Sequence, residues 1–403
     1  MADLISLEKA ISTLFESLPR IEEIESAPLE ECGGRVLAED FIAPMNVPPH
    51  TNSAMDGFAL RSKDLKISAI LSVSQRIIAG SVGVMLREGE AARIFTGAPL
   101  PEGADCVAMQ ENCLVSGNKV EILSAVSAGE NLRLAGEDIK SGSTLLESGV
   151  RLNPQDLGLV ASVGKSCLDI KRRLRVALFT TGNELIEPGK ELIAGQIYNS
   201  NFYALAALLT EMRCELVESG IVADSLEQTK STLEKVAPKV DCIITTGGVS
   251  VGEEDHVKEA VEANGHLDLW KLAIKPGKPF ASGKIKGTQI FGLPGNPVSA
   301  YVTFLLLVKP CLLSMLGSKH VLVKGHAVKA HFSSSSISER QEYLRVNCQC
   351  DERGVPYIER CQNQSSGVGS SLAIADGLAV VPPLRQVVHG DYLEYIPFSE
   401  LLR

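Results

Sequence analysis

Two lysines stand close together in residues 275–279, which read KPGKP. Prolines on either side of the second lysine stiffen the backbone, so Lys275 and Lys278 are held near each other. Two neighbouring ammonium groups repel, and such a pair is stable mainly when an anion lies between them. The alternative is a solvated turn that carries two unrelated lysines. We predict an oxyanion site centred on this pair.

A second anion-binding element is predicted at residues 293–299, which read LPGNPVS. Asn296 is a suitable N-cap residue, and Pro297 suits the first position of a helix. The exposed N–H groups of a helix start attract anions, and Ser299 would stand in the first turn. Pro294 and Asn296 are therefore expected at the rim of the same site.

Polar or glycine-rich turns follow four predicted strands, and ligands of open α/β sheets bind beyond such strand ends. Besides the two segments above, these turns are residues 181–184 (TGNE) and 246–252 (TGGVSVG). Gly247 and Gly248 allow a ligand to approach the backbone and can form an anion nest, although alone they would be an ordinary tight turn. The pattern is not GxGxxG, so a dinucleotide site is not indicated.

Carboxylates gather near these turns. Acidic groups beside a bound phosphate are typical of Mg²⁺ sites, which use one or two carboxylates together with phosphate oxygens. Asp255 is the first candidate because it follows the glycine turn, and the alternative is that it caps a helix. The carboxylates concerned are Glu184, Asp224, Glu253, Glu254 and Asp255.

Further polar residues lie in a segment of short apolar runs near the N-terminus. Residues 48–59 (PPHTNSAMDGFA) contain Ser53 and Asp56, and residues 96–99 (TGAP) begin with Thr96. Arg133 and Asp138 flank the point where this segment ends. Each group alone would pass as turn chemistry.

The element pattern predicts an α/β and β multidomain protein. Its centre is an α/β/α sandwich with a mixed, mostly parallel sheet, to which a β insert, a discontinuous N-terminal domain and a C-terminal β domain are added. The predicted boundaries are 1–43 with 136–170 for the N-terminal domain, 44–135 for the β insert, 171–318 for the α/β domain and 319–403 for the C-terminal domain.

Composition excludes several classes of function. The chain has 403 residues, a net charge of -10 and one Trp, and it has no basic stripe, so no nucleic-acid partner is expected. Ten Cys without a pairing framework fit a reducing cytosol, and a cytoplasmic location is predicted. No signal peptide is recognised, and the apolar residues 298–316 are interpreted as a core helix rather than a membrane span.

The motifs taken together resemble one family closely. In chain order they read PPHTNSAMDGFA, IFTGAPLPEGAD, GEDI, TTGNEL, TTGGVSVGEED, KLAIKPGKP and GLPGNPVS. This set is similar to the bacterial MoeA family of molybdopterin molybdenumtransferases, which includes the E domain of gephyrin. The resemblance covers about residues 6–316 and is weaker beyond residue 319.

The resemblance implies insertion of molybdate into adenylylated molybdopterin with Mg²⁺, which releases AMP and molybdenum cofactor. It also implies a homodimer, with transient contact to molybdopterin adenylyltransferase, and no membrane partner. Lys275, Lys278 and Ser299 would bind molybdate, with Arg345 and Ser366 completing the pocket. The catalytic set would be Asp56, Thr96, Glu184, Asp255, Lys275 and Lys278, of which Asp56 and Thr96 would come from the partner subunit. The metal ligands would be Asp255, Glu184 and Asp224, and the remaining substrate contacts Ser53, Arg133, Asp138, Thr181, Gly247, Gly248, Ser250, Pro294 and Asn296.

Two positions depart from the family pattern. Asn183 stands where Asp is expected, and Leu134-Ala135 replace an arginine-rich stretch. Two alternatives stay open: the preceding adenylyl transfer to molybdopterin, and a scaffold or cofactor-carrier protein without catalysis. The single-domain adenylyltransferase shares the TGG sheet but lacks the β insert and the C-terminal β domain, which speaks against the first alternative.

Overall fold

The computed structural model describes residues 4–66, 68–248, 256–335 and 337–402. Contacts divide the chain into two compact units. We call residues 1–38, 149–152 and 169–403 the large unit, and residues 39–148 and 153–168 the small unit. This division is coarser than the four predicted domains, whose boundaries stay a prediction.

The N-terminal part of the chain is mainly short strands. Its elements are α1 (Leu7–Ser17), β1 (Ile24–Pro28), α2 (Leu29–Cys32), β2 (Phe41–Ile42), β3 (Asn52–Ser53), β4 (Gly57–Leu60), β5 (Ile70–Ile77), β6 (Glu90–Ile94), β7 (Cys106–Met109), β8 (Cys113–Ser116), β9 (Lys119–Ile122), β10 (Leu132–Arg133), β11 (Thr144–Leu146), α3 (Pro154–Ser162) and β12 (Cys167–Lys171).

The central part alternates strands and helices. Its elements are β13 (Arg175–Thr181), β14 (Leu185–Ile186), β15 (Ile197–Tyr198), α4 (Ser200–Glu211), β16 (Glu215–Val222), α5 (Leu226–Val236), β17 (Cys242–Thr246), α6 (His256–Glu262), β18 (Gly265–Lys271), β19 (Ile274–Lys275), β20 (Pro279–Ile285), β21 (Thr288–Leu293), α7 (Pro297–Thr303) and, after a π-helical turn (Phe304–Val308), α8 (Lys309–Met315).

The C-terminal part is again mainly β. Its elements are β22 (His326–Ala330), β23 (Gln341–Cys350), β24 (Pro356–Arg360), α9 (Ser370–Ile374), β25 (Gly377–Val381), β26 (Tyr392–Pro397) and α10 (Phe398–Leu402). Short 3-10 turns occur at Ser62–Lys66, Gln110–Asn112 and Ala237–Lys239.

The large unit is built on a six-stranded mixed sheet in the order β16-β13-β17-β21-β20-β18. The first four strands are parallel, and the β20 strand is antiparallel to both of its neighbours. The carboxyl ends of β13, β17, β21 and β18 therefore meet at one edge of the sheet. The predicted mostly parallel α/β sheet is confirmed.

Alternation along the strands explains why helices cover both faces. In β13, Val176 and Leu178 join the apolar cluster that contains α4, α7 and α8, whereas Ala177 and Phe179 join the cluster of α5 and α6. Successive strand residues point to opposite faces, so a continuous apolar strand must be buried on both sides.

The segment from α7 to α8 forms one long apolar helix, Pro297–Met315, as predicted. It is long and apolar enough to cross a membrane, but 89% of its apolar window is buried inside the protein, as in a core helix. The helix packs between the central sheet and residues of the C-terminal part.

The C-terminal strands form a second six-stranded sheet of the large unit in the order β19-β23-β24-β22-β26-β25, with β23 also paired to β25. Its first strand, β19, comes from the α/β part and pairs in parallel with β23 through Lys275 and Glu342. The sequence pattern of residues 270–274 predicts one strand, and these bounds are wrong: β18 ends at Lys271, and β19 begins at Ile274 as part of the second sheet.

The small unit contains a six-stranded sheet in the order β7-β4-β6-β5-β9-β8, which is antiparallel except for the β5–β6 pair. Its buried residues form apolar clusters on either side of β4 and β6. The β insert that was predicted from short apolar runs is therefore present.

Candidate functional site

A cleft of about 820 Å³ opens at the edge of the central sheet where β13, β17 and β21 end. Its walls come from the turns after these strands, from the start of α4 and from one loop of the C-terminal part. The predicted residues that line it are Thr181, Glu184, Asp224, Gly247, Gly248, Pro294, Asn296 and Ser299. Strand-end motifs that are far apart in the sequence thus share one cavity.

Glycine is required at both positions of the Gly-Gly turn. The φ angles of Gly247 and Gly248 are +86° and +65°, which L side chains rarely adopt. A Cβ atom at Gly247 would lie 2.6 Å from the carbonyl oxygen of Thr181, and one at Gly248 would lie 2.7 Å from Cγ2 of Val257. The turn is therefore packed tightly on β13. Ser250, the third predicted contact of this turn, lies outside the described residues.

The side chain of Thr181 borders the same turn. Its hydroxyl oxygen is buried and has no hydrogen-bond partner within the described ranges. A buried hydroxyl without a partner costs free energy. Thr181 is thus a donor and acceptor that a ligand in the cleft could satisfy.

The long helix begins at the cleft as predicted, with Asn296 at the N-cap and Pro297 in the first turn. The side chain of Asn296 does not cap the helix but donates a hydrogen bond to the Ser366 hydroxyl at 3.1 Å. The N–H of Val298 donates to the Ser366 carbonyl at 3.0 Å. The start of the helix and the predicted residue Ser366 are thereby joined directly.

Two asparagines that sequence reasoning missed organise the rim of the cleft. Asn199 is buried and donates to the hydroxyl of Thr180 at 2.8 Å. Asn201 donates to the hydroxyl of Thr246 at 3.0 Å and to the carbonyl of Gly295 at 2.7 Å. They tie the start of α4 to three of the cleft turns. The signal that could have identified them is the sequence NSN at residues 199–201, where a helix begins.

Arg345 is fully buried in β23, at 1% exposure. Its guanidinium donates to the hydroxyl of Ser371 at 3.1 Å and to the carbonyls of Ser365 at 3.2 Å and Asn363 at 3.4 Å. Burial lowers the pKa of this guanidinium below its ordinary value. This geometry gives Arg345 a positioning role for the loop that carries Ser366, and its direct contact with an oxyanion stays a prediction.

The two lysines of the predicted pair have different surroundings. Lys275 forms an ion pair with Glu342, with 2.7 Å between Nζ and Oε1, and Lys278 is exposed. Neither lines the cleft, whereas Pro279 does. Between them, a Cβ at Gly277 would lie 2.3 Å from the hydroxyl oxygen of Thr303, so the lysine loop packs on α7 one turn beyond Ser299.

Among the residues that the structure describes, Glu184 and Asp224 are the two carboxylates that line the cleft. The side-chain oxygen of Asn183 accepts a hydrogen bond from the Asp224 N–H at 3.1 Å, which links the residue next to Glu184 with Asp224. Within the described ranges, no group of three or more His, Cys, Asp or Glu could hold a metal. Two oxygen ligands nevertheless match the number that Mg²⁺ takes from proteins. Asp255 lies outside the described residues.

The remaining predicted residues belong to the small unit. Asp56 accepts hydrogen bonds from the N–H and the hydroxyl of Thr96, each at 2.8 Å. These two bonds, first the backbone and then the side-chain one, lower the pKa of the Asp56 carboxyl below its ordinary value. Ser53 is fully buried, and its hydroxyl donates to the Met55 carbonyl. It therefore shapes the turn that carries Asp56, and contact with substrate stays a prediction.

Arg133 and Asp138 are both exposed. Arg133 is opposite Asn52 in the β10–β3 pair, which brings it next to the turn of Asp56. The N–H of Asp138 donates to the carbonyl of Val47 at 3.0 Å and leaves its carboxylate in solvent.

Comparison with known proteins gives consistent results. Three family models match consecutive parts of the chain: MoeA N-terminal region (domain I and II) at residues 5–164, probable molybdopterin binding domain at 177–314, and MoeA C-terminal region (domain IV) at 327–398. The molybdopterin molybdenumtransferase of Haemophilus influenzae is 37% identical and the match covers 99% of this chain and 100% of that protein. The one of Nostoc sp. is 33% identical, with coverage of 94% and 90%.

Solved structures agree with these sequence matches. The crystal structure of a molybdopterin biosynthesis MoeA protein from Pyrococcus horikoshii OT3 superposes with a TM-score of 0.84 at 30% identity and covers 98% of this chain and 99% of that chain. A second crystal structure of a Pyrococcus MoeA protein gives a TM-score of 0.81 at 32% identity with the same coverage.

Proposed function

Since the chain belongs to the MoeA family of molybdopterin molybdenumtransferases and is an enzyme of molybdenum cofactor biosynthesis, we propose that it inserts molybdenum from molybdate into adenylylated molybdopterin and releases AMP. The observation that carries this proposal is the cleft itself. The turns after β13, β17 and β21 and the loop that carries Ser366 converge there and bring hydroxyls, amides and carboxylates together.

One end of the cleft is suited to a tetrahedral dianion. Ser299 and Asn296 stand at the start of α7, where the helix dipole favours negative charge. Ser366 is hydrogen-bonded to Asn296, and Lys275 and Lys278 flank the loop packed on the same helix. Hydroxyl and ammonium donors are the groups that bind an oxyanion such as molybdate.

The other end holds Glu184 and Asp224, which would hold Mg²⁺ together with Asp255. When bound, the metal would neutralise the charge of the phosphate link in the adenylylated substrate. Thr181, Gly247 and Gly248 would bind and orient the substrate beside it, since they offer N–H groups and a hydroxyl that has no partner in the described part of the chain. Orientation of this kind lowers the barrier to cleavage of the phosphoanhydride bond.

Further parts of the proposal concern the assembly. The enzyme would act as a cytoplasmic homodimer in which Asp56 and Thr96 come from the partner subunit. It would meet molybdopterin adenylyltransferase transiently to receive its substrate. The homodimer is supported by the family. The lowered pKa of Asp56 favours its charged form.

The deciding experiment is an incubation with adenylylated molybdopterin, Mg²⁺ and molybdate, in which AMP and molybdenum cofactor are both quantified. We expect AMP release that depends on molybdate. If AMP never forms, the transferase proposal fails. If instead the protein makes adenylylated molybdopterin from ATP and molybdopterin, the adenylyltransferase alternative is correct.

Variants localise the activity to the oxyanion end. Lys278→Ala removes an exposed ammonium, and Ser366→Ala removes a hydroxyl that accepts one hydrogen bond from Asn296. Both should lose molybdate-dependent turnover while staying folded. Lys324→Ala, another exposed lysine of the same unit, is the matched control and should turn over like wild type.

A further inference from the structure

Glu342 is a buried carboxylate at the junction of the two sheets of the large unit. Its side chain is 9% exposed, and its Oε1 lies 2.7 Å from Nζ of Lys275, whose side chain is 46% exposed. The register pairs the same two residues in the β19–β23 ladder. The ion pair is therefore closed on the carboxylate side and open to solvent on the ammonium side.

The backbone around Lys275 is fixed from several directions. The Gln341 N–H donates to the carbonyl of Ala273 at 2.9 Å, and the Arg340 guanidinium donates to the carbonyl of Ile274 at 3.1 Å. On the opposite side, the Ile5 N–H donates to the carbonyl of Lys271 at 2.9 Å. Together with the packing of Gly277 on Thr303, these bonds restrain the main chain of Lys275 beside the carboxylate.

These contacts have an electrostatic consequence. A second anion near this ion pair is attracted by the ammonium and repelled by the carboxylate. The pair therefore attracts that anion less strongly than a lysine without a carboxylate partner would. One of the three N–H groups of Lys275 is donated to Glu342, and the lysine side chain is 46% exposed. A ligand there meets a well-positioned donor of reduced net charge.

We infer that Glu342 is a positioning residue that holds the Lys275 ammonium and limits how strongly the oxyanion site of the proposed function binds dianions. The inference rests on the proposed function, in which Lys275 binds molybdate. If Lys275 alone binds the dianion weakly, occupancy of the site by molybdate depends on the remaining donors, Ser299, Asn296 and Ser366. Release and exchange of the oxyanion would then be easier than at an unopposed lysine pair.

The test is calorimetric titration of the full chain with sodium molybdate at low ionic strength, for wild type and Glu342→Gln. The amide keeps a hydrogen-bond acceptor for Lys275 and removes the negative charge. We expect the molybdate Kd to fall about tenfold, and the gain to shrink as salt is added. Damage to the fold would change the Kd in the opposite direction.

Two further variants separate the charge of Glu342 from other effects. Lys275→Ala/Glu342→Gln should bind no more tightly than Lys275→Ala, because the gain acts through the lysine. Glu359→Gln, in the neighbouring strand β24, removes an exposed carboxylate and should leave the Kd unchanged. An equal gain in Glu359→Gln would attribute the effect to net charge and overturn the inference.

The remaining outcomes are also decisive. If wild type binds molybdate and Glu342→Gln binds it equally or more weakly, the inference fails while the proposed function stands. If neither protein binds molybdate, the oxyanion site of the proposed function fails together with it. Should Glu342→Gln not fold, Glu342→Asp keeps the charge but withdraws it from Lys275, and an unchanged Kd in that variant overturns the positioning role.

Discussion

The carboxylate of Asp56 accepts two hydrogen bonds from Thr96 on a single oxygen, one from the backbone N–H and one from the hydroxyl, both at 2.8 Å. The two residues are 40 positions apart, and the pair fixes the turn after β3 to the end of β6. Both bonds favour the charged carboxylate.

Thr96→Val tests this relationship, since it removes the hydroxyl and keeps the backbone N–H. The pKa of Asp56 should rise toward its ordinary value, because one of its two stabilising bonds is lost. A carboxyl whose folded pKa is lowered contributes stability above its unfolded pKa and loses it as pH falls through the folded pKa. The variant should therefore be less stable than wild type at neutral pH, and the gap should close in acid.

The pKa shift is measured by NMR titration of the Asp56 carboxyl carbon, and the stability gap by urea unfolding at several pH values. Thr96→Ser is the control, because it keeps the hydroxyl and should titrate like wild type. An Asp56 pKa that is the same in all three proteins would contradict the role of the hydroxyl.

Gly247→Ala should destabilise the fold and abolish substrate binding. The new Cβ would lie 2.6 Å from a main-chain oxygen at a φ of +86°, so the turn would have to move. We expect the free energy of unfolding to fall by roughly 2 kcal/mol or more. Gly295→Ala is the stability control, because a Cβ there would have the Cα of Gly247, at 3.8 Å, as its nearest contact among the described residues. Equal unfolding midpoints for the two variants would refute this account of the turn.

Arg345→Lys should destabilise the large unit although it keeps the charge. The ammonium cannot reproduce the bonds to Ser371, Ser365 and Asn363, and buried carbonyls would lose their donors. The expected loss is about 2–3 kcal/mol. Arg385→Lys, at a half-exposed arginine of the C-terminal part, is the matched control and should change stability by less than about 0.5 kcal/mol. Chemical denaturation of both variants measures these changes in the free energy of unfolding.

Asn201→Ala should raise KM more than it lowers stability. Its amide joins the buried Thr246 to the exposed Gly295 across the rim of the cleft, and the Gly295 carbonyl can bind water once the amide is removed. A stability loss of about 1 kcal/mol is expected. Asn199→Ala, whose side chain is buried against Thr180, should instead lose more stability. Steady-state kinetics that show a lower kcat at unchanged KM for Asn201→Ala would argue against a role in holding the rim.

Much of the α/β part could be predicted from the sequence because its elements are long and periodic. The sequence pattern predicts a strand at 215–222, which has those bounds in the structure, and a helix at 200–212, which ends one residue earlier. The β20 strand was missed, because Ser282, Gly283 and Lys284 interrupt its apolar pattern and its stability comes from neighbours on both sides.

The candidate site was predictable in its turns but not in its pairings. Asn296 and Pro297 start a helix by local preference, and the structure has them in that role. The partner of Lys275 is 67 residues away, and Arg345 donates to the Ser365 carbonyl 20 residues away. Such contacts depend on tertiary packing, which no spacing of residue types encodes.

The apolar cluster around the long helix has a consequence for how the protein unfolds. It contains Leu14 of α1, Leu178 of β13, Leu312 of α8, Val380 of β25 and Leu401 of α10. A chain cut after residue 318 would leave much of this surface open to water, including positions now covered by the last helix. Opening of the C-terminal strands and melting of the central sheet should therefore occur as a single cooperative transition, with hydrogen-exchange protection that rises and falls together in the two sheets.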